Sequence, residues 1–184
     1  MAEAIILAGG KSSRMKSNKM LLPYQNQPII FHTVSTVRPF VRKVIVVTGK
    51  YHKEIAALFK DDPDVVCIHN HDYELGMFSS VKTGVKQTND DFLIIPGDTP
   101  LIKAKTYQKL IEAKGKIRVV AYQGKKGHPL FIHKSFKERL LKTPLPHLKA
   151  FRDHTAYTVV DVDDAGVLYD VDTEEDYHGL IKKG

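Results

Sequence analysis

Short apolar runs alternate with amphipathic segments through the first two-thirds of the chain. The runs predict buried strands at Ala4–Ala8, Lys43–Thr48, Val65–Ile68, Phe92–Ile95 and Ile117–Tyr122. The amphipathic segments between them predict helices at Pro28–Val37, Tyr51–Lys60, Met77–Lys86 and Lys103–Lys114. Short, wholly apolar strands are typical of a parallel sheet covered on both faces. The alternation therefore predicts an α/β fold with three αβα layers and a doubly wound, mostly parallel sheet.

The pattern becomes less regular after Gly124. We expect a strand over 129–133, a short helix over 135–141 and an irregular segment over 143–154. Further on, the sequence predicts short strands at Tyr157–Asp161 and Val167–Tyr169 and a helix at Thr173–Lys182. Thr173 is followed by three acidic residues and is a good N-cap for that last helix.

Composition narrows the class of protein. The 184 residues are 42% hydrophobic and carry a formal net charge of +7, which favours anionic partners. There is no tract of five or more cations, and aromatic residues are not interleaved with a basic stripe, so nucleic acid is not an expected partner. The single cysteine, Cys67, excludes an internal disulfide framework. No apolar run approaches 18 residues and Glu3 interrupts the start, so we expect a cytoplasmic protein without membrane segments.

The first strand runs into a loop suited to phosphate binding. Gly9 and Gly10 allow backbone N–H groups to approach an anion closely. Polar and cationic side chains follow within a few residues: Ser12, Ser13, Arg14, Lys16 and Lys19. Lys and Arg supply the charge that holds polyphosphate oxygens. The loop therefore predicts a nucleotide-binding site, although the Walker pattern GxxxxGK[ST] and the dinucleotide pattern GxGxxG are both absent.

Two carboxylates are candidates for holding a metal against those phosphates. Asp98 follows a buried strand, at the sheet edge where open α/β folds bind ligands. Asp170 and Asp172 share one face if their segment is extended, and Asp172 is nearer the last helix. Mg²⁺ typically takes one or two protein carboxylates together with phosphate oxygens. A turn aspartate and acidic helix caps are the simpler structural explanations for these residues.

Three further groups have weaker signals. Asn70 and the segment from Gly76 to Gly84 form a loop and helix start, for which N-capping by Ser79 or Ser80 is the simpler explanation. Gly127 and His128 open the irregular part, and a structural turn competes there with a role in presenting a second substrate. Alternating Cys67, His69 and His71 suggest zinc only weakly, because a fourth ligand is missing.

Five blocks of the sequence follow one another in a characteristic order. They are Leu7-Ala-Gly-Gly-Lys-Ser-Ser-Arg-Met with Lys19, Asn70 with Gly76-Met-Phe-Ser-Ser, Pro96-Gly-Asp-Thr-Pro-Leu, Gly127-His-Pro-Leu-Phe, and Asp170-Val-Asp-Thr-Glu-Glu-Asp. Together they resemble the nucleotidyltransferases that attach a nucleotide to molybdopterin. The resemblance spans nearly the whole chain. It implies one NTP-transferase domain of the sugar-nucleotide-transferase type over 1–184, with a nucleotide-binding part at 1–123 and an acceptor-side part at 124–184.

The resemblance also implies roles for individual residues. The nucleotide would contact Leu7, Ala8, Gly9, Gly10, Ser12, Arg14, Lys19, Asn70, Ser79, Gly97 and Asp98. Asp98 and Asp172 would hold Mg²⁺, and Arg14, Lys19 and Asp98 would be the catalytic set. Gly127, His128 and Asp170 would lie on the acceptor side. The substrates would be a nucleoside triphosphate and a phosphorylated, molybdopterin-like acceptor, with a molybdoenzyme or accessory protein as a further partner.

Departures from the family leave alternatives open. Lys16 stands where relatives usually have glycine, and Lys142–His154 lacks the Gly-Asp-x-Gly pattern of the cytidylyl branch. Some blocks resemble the guanylyl branch and others the cytidylyl branch, so the base is undecided between CTP and GTP. A transferase making a CDP-alcohol or NDP-sugar, and a non-catalytic nucleotide-binding accessory protein, are the alternative functions.

Overall fold

The structure, a computed structural model, describes residues 1–10, 15 and 18–183. Within these residues the strands are β1 (Glu3–Ala8), β2 (Pro23–Tyr24), β3 (Gln27–Pro28), β4 (Lys43–Thr48), β5 (Val65–His69), β6 (Phe92–Pro96), β7 (Ile117–Tyr122), β8 (Lys125–Ile132) and β9 (Thr158–Asp161). The α-helices are α1 (Ile29–Val37), α2 (His52–Leu58), α3 (Met77–Lys86), α4 (Ala104–Glu112), α5 (Lys137–Lys142), α6 (Leu148–Asp153) and α7 (Glu174–Ile181). Short 3₁₀ helices lie at Lys19–Leu21, Arg38–Phe40, Tyr73–Leu75, Lys134–Phe136 and Ala165–Leu168.

The described strands form a seven-stranded sheet in the order β5-β4-β1-β6-β8-β7-β9. Neighbouring strands are parallel except where β8 pairs antiparallel with β6 and β7. Helices cover both faces over two separate apolar cores, which fits strands that are buried on both sides. The predicted three-layer, doubly wound, mostly parallel α/β fold is confirmed. The finer division into parts 1–123 and 124–184 stays a prediction.

A third, smaller core joins the start of the chain to its end. Tyr24 of the β2–β3 hairpin and Ile29 pack there with Val171 and Leu180. The hairpin turn places Gln25 and Asn26 at positive φ, as a two-residue type I′ turn requires. This packing holds the Lys19 region beside the segment that contains Asp170 and Asp172.

Two predictions for the last third of the chain were wrong, and a third, the strand over 129–133, was confirmed with an earlier start. Val167–Tyr169 is not a strand; most of it belongs to a 3₁₀ helix, whose start is capped by the Asp164 side chain accepting from the Gly166 N–H at 3.0 Å. The segment 143–154 contains helix α6, whose N-cap is His147, a residue outside the usual capping set. Strand β8 begins at Lys125, before the predicted 129, because Gln123 and Gly124 at positive φ close a tight hairpin with β7.

Among the described residues, no helix has both the length and the apolar character needed to cross a membrane.

Candidate active site

A cavity of about 590 Å³ opens at the carboxyl ends of β1 and β6. Its described lining residues are Leu7, Gly9, Gly10, Lys19, Met20, Tyr73, Glu74, Gly76, Met77, Ser80, Pro96 and Asp98. This is the edge where parallel sheets bind ligands, and it is where the sequence places the phosphate loop. Of the predicted nucleotide contacts, Ala8 and Gly97 are buried beside this lining. Ser12 and Arg14 lie outside the described residues.

Two walls of the cavity come into close contact at Gly9. A Cβ at this position would lie 2.6 Å from the Ser80 hydroxyl oxygen, closer than real Cβ atoms come to another atom. Glycine at position 9 therefore allows the loop after β1 to contact the start of α3. The two segments predicted to bind the nucleotide, one after β1 and one after β5, form one continuous surface.

Asn70 shapes that surface through hydrogen bonds. It is buried after β5, and its amide nitrogen lies 2.8 Å from the Ser79 hydroxyl oxygen and 3.0 Å from that of Ser80. Its amide oxygen accepts from the Asp72 N–H at 3.0 Å and from the Thr83 hydroxyl at 3.3 Å. In this structure Asn70 thus organises the loop at residues 70–80, and Ser80 lines the cavity while the hydroxyl of Ser79 contacts the loop's own carbonyls.

Three carboxylates meet at one end of the cavity. One oxygen each from Asp98, Asp170 and Asp172 lies within 4.8 Å of the other two. A backbone hydrogen bond of 3.1 Å from the Val171 N–H to the Asp98 carbonyl ties the two segments together. Asp170 and Asp172 therefore flank an anchored residue and present both side chains toward Asp98. We call these three residues the carboxylate cluster.

Lys19 lines the cavity and also contacts the carboxylate cluster. Its ammonium contacts Asp98 and lies 2.7 Å from Asp172 Oδ1, and its side chain is 12% exposed. Burial alone would lower the pKa of Lys19, but the two carboxylates outweigh burial and raise it. Lys19 therefore remains a cation throughout the neutral range.

Repulsion among the three carboxylates contributes to a raised pKa at Asp170. Burial raises the pKa of its carboxyl group, and the charges of Asp98 and Asp172 raise it further. Three closely spaced carboxylates offer the hard oxygen ligands that Mg²⁺ and similar divalent cations prefer. The donor set thus fits a divalent cation, and a cation would relieve the repulsion that Lys19 only partly offsets.

A capping box fixes the backbone beside Asp172. The Asp176 carboxylate accepts from the N–H groups of Asp172 at 3.1 Å and Thr173 at 2.8 Å. The Thr173 hydroxyl accepts in return from the Asp176 N–H at 3.1 Å, which confirms Thr173 as the N-cap of α7. The direction of the Asp172 side chain is thereby set by the start of a helix.

The remaining predicted residues, Gly127 and His128, line a second cleft on β8. A Cβ on Gly127 would come within 2.1 Å of the Val167 carbonyl oxygen, so glycine is required here for packing of the strand. Asp170, predicted to lie on the acceptor side, is in the carboxylate cluster. Sequence reasoning did not single out Tyr73, Met77 or the cations of the second cleft. For Asp170 the signal was available in its spacing of two from Asp172.

Comparison with known proteins shows the family of the chain. Residues 4–159 match the family model described as the MobA-like NTP transferase domain. The chain belongs to this family. It is 28% identical over 182 residues to the molybdenum cofactor cytidylyltransferase of Escherichia coli K12, covering 95% of this chain and 93% of that protein. It is 30% identical to the molybdenum cofactor guanylyltransferase of Shewanella sediminis, over 82% of this chain and 74% of that protein.

The fold is similar to that of solved structures. A crystal structure of Rv0371c from Mycobacterium tuberculosis H37Rv, in complex with manganese, superposes with a TM-score of 0.81 and 22% identity, over 100% of this chain and 99% of the other. Because its relatives transfer nucleotides, the chain is a nucleotidyltransferase.

Proposed function

We propose that this enzyme transfers a nucleoside monophosphate from CTP or GTP to the phosphate of a molybdopterin-type acceptor, with Mg²⁺ as cofactor and pyrophosphate as the second product. The observation that carries the proposal is the carboxylate cluster at the end of the Gly9–Gly10 cavity, with Lys19 between the two. Carboxylates that converge in this way are the ligands that a catalytic Mg²⁺ takes together with substrate phosphate oxygens. The molybdenum cofactor relatives of both branches support the acceptor class.

The carboxylate cluster would hold the metal through Asp98 and Asp172, with Asp170 as a third oxygen ligand. A bound divalent cation neutralises phosphate charge and orients the reacting groups. Lys19 adds a fixed positive charge on the side of the phosphate loop. Arg14 and Ser12 are assigned to nucleotide binding on the sequence prediction alone.

The remaining residues of the cavity bind and orient the nucleotide. Leu7, Gly9 and Gly10 offer backbone groups along one wall, while Ser80 and the Asn70-ordered loop form the other. An oxygen of the acceptor phosphate forms a bond to the α-phosphorus. The bond from that phosphorus to the bridging oxygen breaks, and pyrophosphate leaves with the electron pair. Since the acceptor phosphate is already ionised, no residue needs to remove a proton, and positioning and charge account for catalysis.

Pyrophosphate release tests the substrate assignment. Purified protein with Mg²⁺ is incubated with each of four nucleoside triphosphates and, separately, with molybdopterin, methylerythritol phosphate or a sugar phosphate. We expect release with molybdopterin and with CTP or GTP only. Release only with methylerythritol phosphate or a sugar phosphate would contradict the acceptor assignment.

A second experiment separates catalysis from an accessory role. Asp98→Ala removes the most buried carboxylate of the cluster, which is 5% exposed. We expect the variant to lose function in a cofactor-maturation assay. Full function of Asp98→Ala would show that metal-assisted transfer is wrong and that the chain acts as a nucleotide-binding accessory protein.

A further inference from the structure

A second cavity of about 600 Å³ lies beside β8 and α6. Its lining residues are Gly124, Lys126, Gly127, His128, Lys149, Arg152 and Asp153. Lys149 and Arg152 are three residues apart on α6 and therefore project from the same side of the helix. We call this cavity the cationic cleft. None of its residues lines the nucleotide cavity.

Two of its cations are held in place by neighbours. The Arg152 side chain is 13% exposed, and its Nε and Nη2 donate to Asp153 Oδ1 at 2.9 and 2.8 Å. Lys126 donates to the Tyr157 hydroxyl and lies 4.7 Å from the centre of that ring, while the Arg152 guanidinium lies 5.5 Å from the same ring. Tyr157 thus orders both charges without neutralising either, which reduces the entropy lost when a ligand binds.

The cleft has an excess of positive charge. Arg152 holds the pKa of the Asp153 carboxyl below its usual range, with contributions from Lys126 and Lys149. One carboxylate therefore faces three cations, and two positive charges remain uncompensated among these residues. A phosphate monoester has a charge between about −1.5 and −2 near pH 7, which matches that excess.

The cationic cleft adjoins the carboxylate cluster. His128, directly before the buried part of β8, lines the cleft beside Gly127. The close approach of Gly127 to the Val167 carbonyl places β8 against the segment that leads to Asp170. A group bound in the cleft is thus adjacent to the reacting end of the nucleotide site.

We propose that Lys126, Lys149 and Arg152 bind the phosphate monoester of the acceptor, the group that attacks the α-phosphorus. The inference rests on the proposed function and assigns it a second anion site, separate from that of the triphosphate.

Kinetics with a matched control tests the assignment. Lys126→Gln/Lys149→Gln removes two exposed charges from the cleft, and Lys105→Gln/Lys142→Gln removes two exposed charges elsewhere. We expect the cleft variant to raise the KM for molybdopterin about tenfold or more, since it loses two charge-assisted contacts to the acceptor phosphate. The KM for the nucleoside triphosphate should remain unchanged in both variants. The acceptor KM of the wild type should rise with ionic strength more steeply than that of the cleft variant.

A direct binding measurement uses inorganic phosphate as the probe. In ¹⁵N-labelled protein, we expect phosphate to shift the Gly124 and Gly127 amide signals saturably in the wild type and in Lys105→Gln/Lys142→Gln, but not in the cleft variant. No saturable shift in the wild type, or an equal shift in the cleft variant, would overturn the inference.

The two proposals fail in different ways. Absence of pyrophosphate release from the wild type with every acceptor overturns the proposed function. An active wild type whose cleft variant keeps the same acceptor KM, or loses triphosphate affinity equally, overturns the cleft assignment alone.

Discussion

The carboxylate cluster and the cationic cleft have opposite charge compositions. The first has three carboxylates and one lysine, whereas the second has three cations and one carboxylate. In the first, Asp98 follows the buried strand β6 and is 5% exposed, while Asp170 and Asp172 lie between the last 3₁₀ helix and α7. In the second, Lys126 and Lys149 are exposed. Mg²⁺ requires oxygen ligands at nearly fixed distances and angles, whereas a phosphate can be bound by exposed lysines, whose ammonium groups act as point charges.

Both clusters depend on the start of a helix. The Asp176–Thr173 capping box of α7 fixes the backbone at Asp172. The His147 cap of α6 fixes the turn that contains Lys149. The two caps differ in the capping acceptor: the Asp176 carboxylate accepts several hydrogen bonds, while His147 Nδ1 accepts one at 2.9 Å. We therefore expect the carboxylate cluster to be the more rigid of the two.

The largest expected effect follows from removing a carboxylate. Asp98→Ala should lower kcat by about 10²–10³, because charge stabilisation in the transition state is lost. Its thermal midpoint should change little, since the substitution also removes repulsion within the cluster. Steady-state pyrophosphate release and thermal unfolding check this, with exposed Asp163→Ala as the control. If Asp98→Ala keeps the kcat of the wild type, Asp98 has no part in catalysis.

A third charged group, Glu3, lies at the opposite end of β1 from the cavity, and we expect it to affect stability rather than activity. The Glu3 carboxylate is fully buried and accepts from Arg42 at 2.8 Å and from the Asn89 N–H at 2.7 Å. Burial raises the pKa of Glu3, but these donors outweigh burial and lower it. Glu3→Gln should cost about 2 kcal/mol in the free energy of unfolding, a value reduced because Arg42 is partly exposed.

The pH dependence of Glu3 has a defined sign. Because its pKa is lowered on folding, the stabilisation is complete above the ordinary glutamate pKa of about 4.3 and is lost as pH falls further. Urea unfolding at pH 7 and at lower pH should show the difference between wild type and Glu3→Gln shrinking with acid. A difference that is constant over this range would show that the carboxylate charge is not responsible.

The capping box at the start of α7 can be weakened by one substitution. In Asp176→Asn the acceptor of the Asp172 and Thr173 N–H groups loses its charge. We expect the metal concentration for half-maximal activity to rise about tenfold or less, with a stability loss of about 1 kcal/mol. Activity at saturating metal should return to near the wild-type level. If the metal dependence is unchanged, the cap does not position Asp172.

The smallest effect is expected at the α6 cap. His147→Ala removes the acceptor for the Ala150 N–H and should raise the acceptor KM about two- to threefold, consistent with a capping loss near 0.5 kcal/mol. His147→Asn restores a capping side chain and should restore the KM. Failure of this rescue would show that the imidazole acts in another way than as a cap.

The sequence predicted the parallel half of the fold well because its strands are continuous apolar runs. Phe92–Pro96 is such a run, and Asp98 could be placed at its carboxyl end without further information. The spacing of Asp170 from Asp172 was visible in the sequence, but the contacts that bring both to Asp98 were not, because they depend on the Val171 hydrogen bond and on packing around Tyr24 and Leu180.

The last third was harder because local signals there are weak or unusual. Helix α6 has six residues and a histidine cap, and β8 begins with two lysines. The cationic cleft is built from these two elements. Its residues are widely spaced along the chain, and only the fold brings Lys126 beside Arg152.

The central position of β1 has a consequence for the way in which the site opens. All six residues of β1 are buried, and the strand is hydrogen-bonded to β4 on one side and β6 on the other. Amide protons in such a strand exchange with solvent only through global unfolding, unlike those at sheet edges or in loops. We expect Ile5 and Ile6 to be among the slowest-exchanging amides. The strand from which the phosphate loop departs is then the last part of the domain to lose its structure, so nucleotide binding does not have to offset the cost of ordering it.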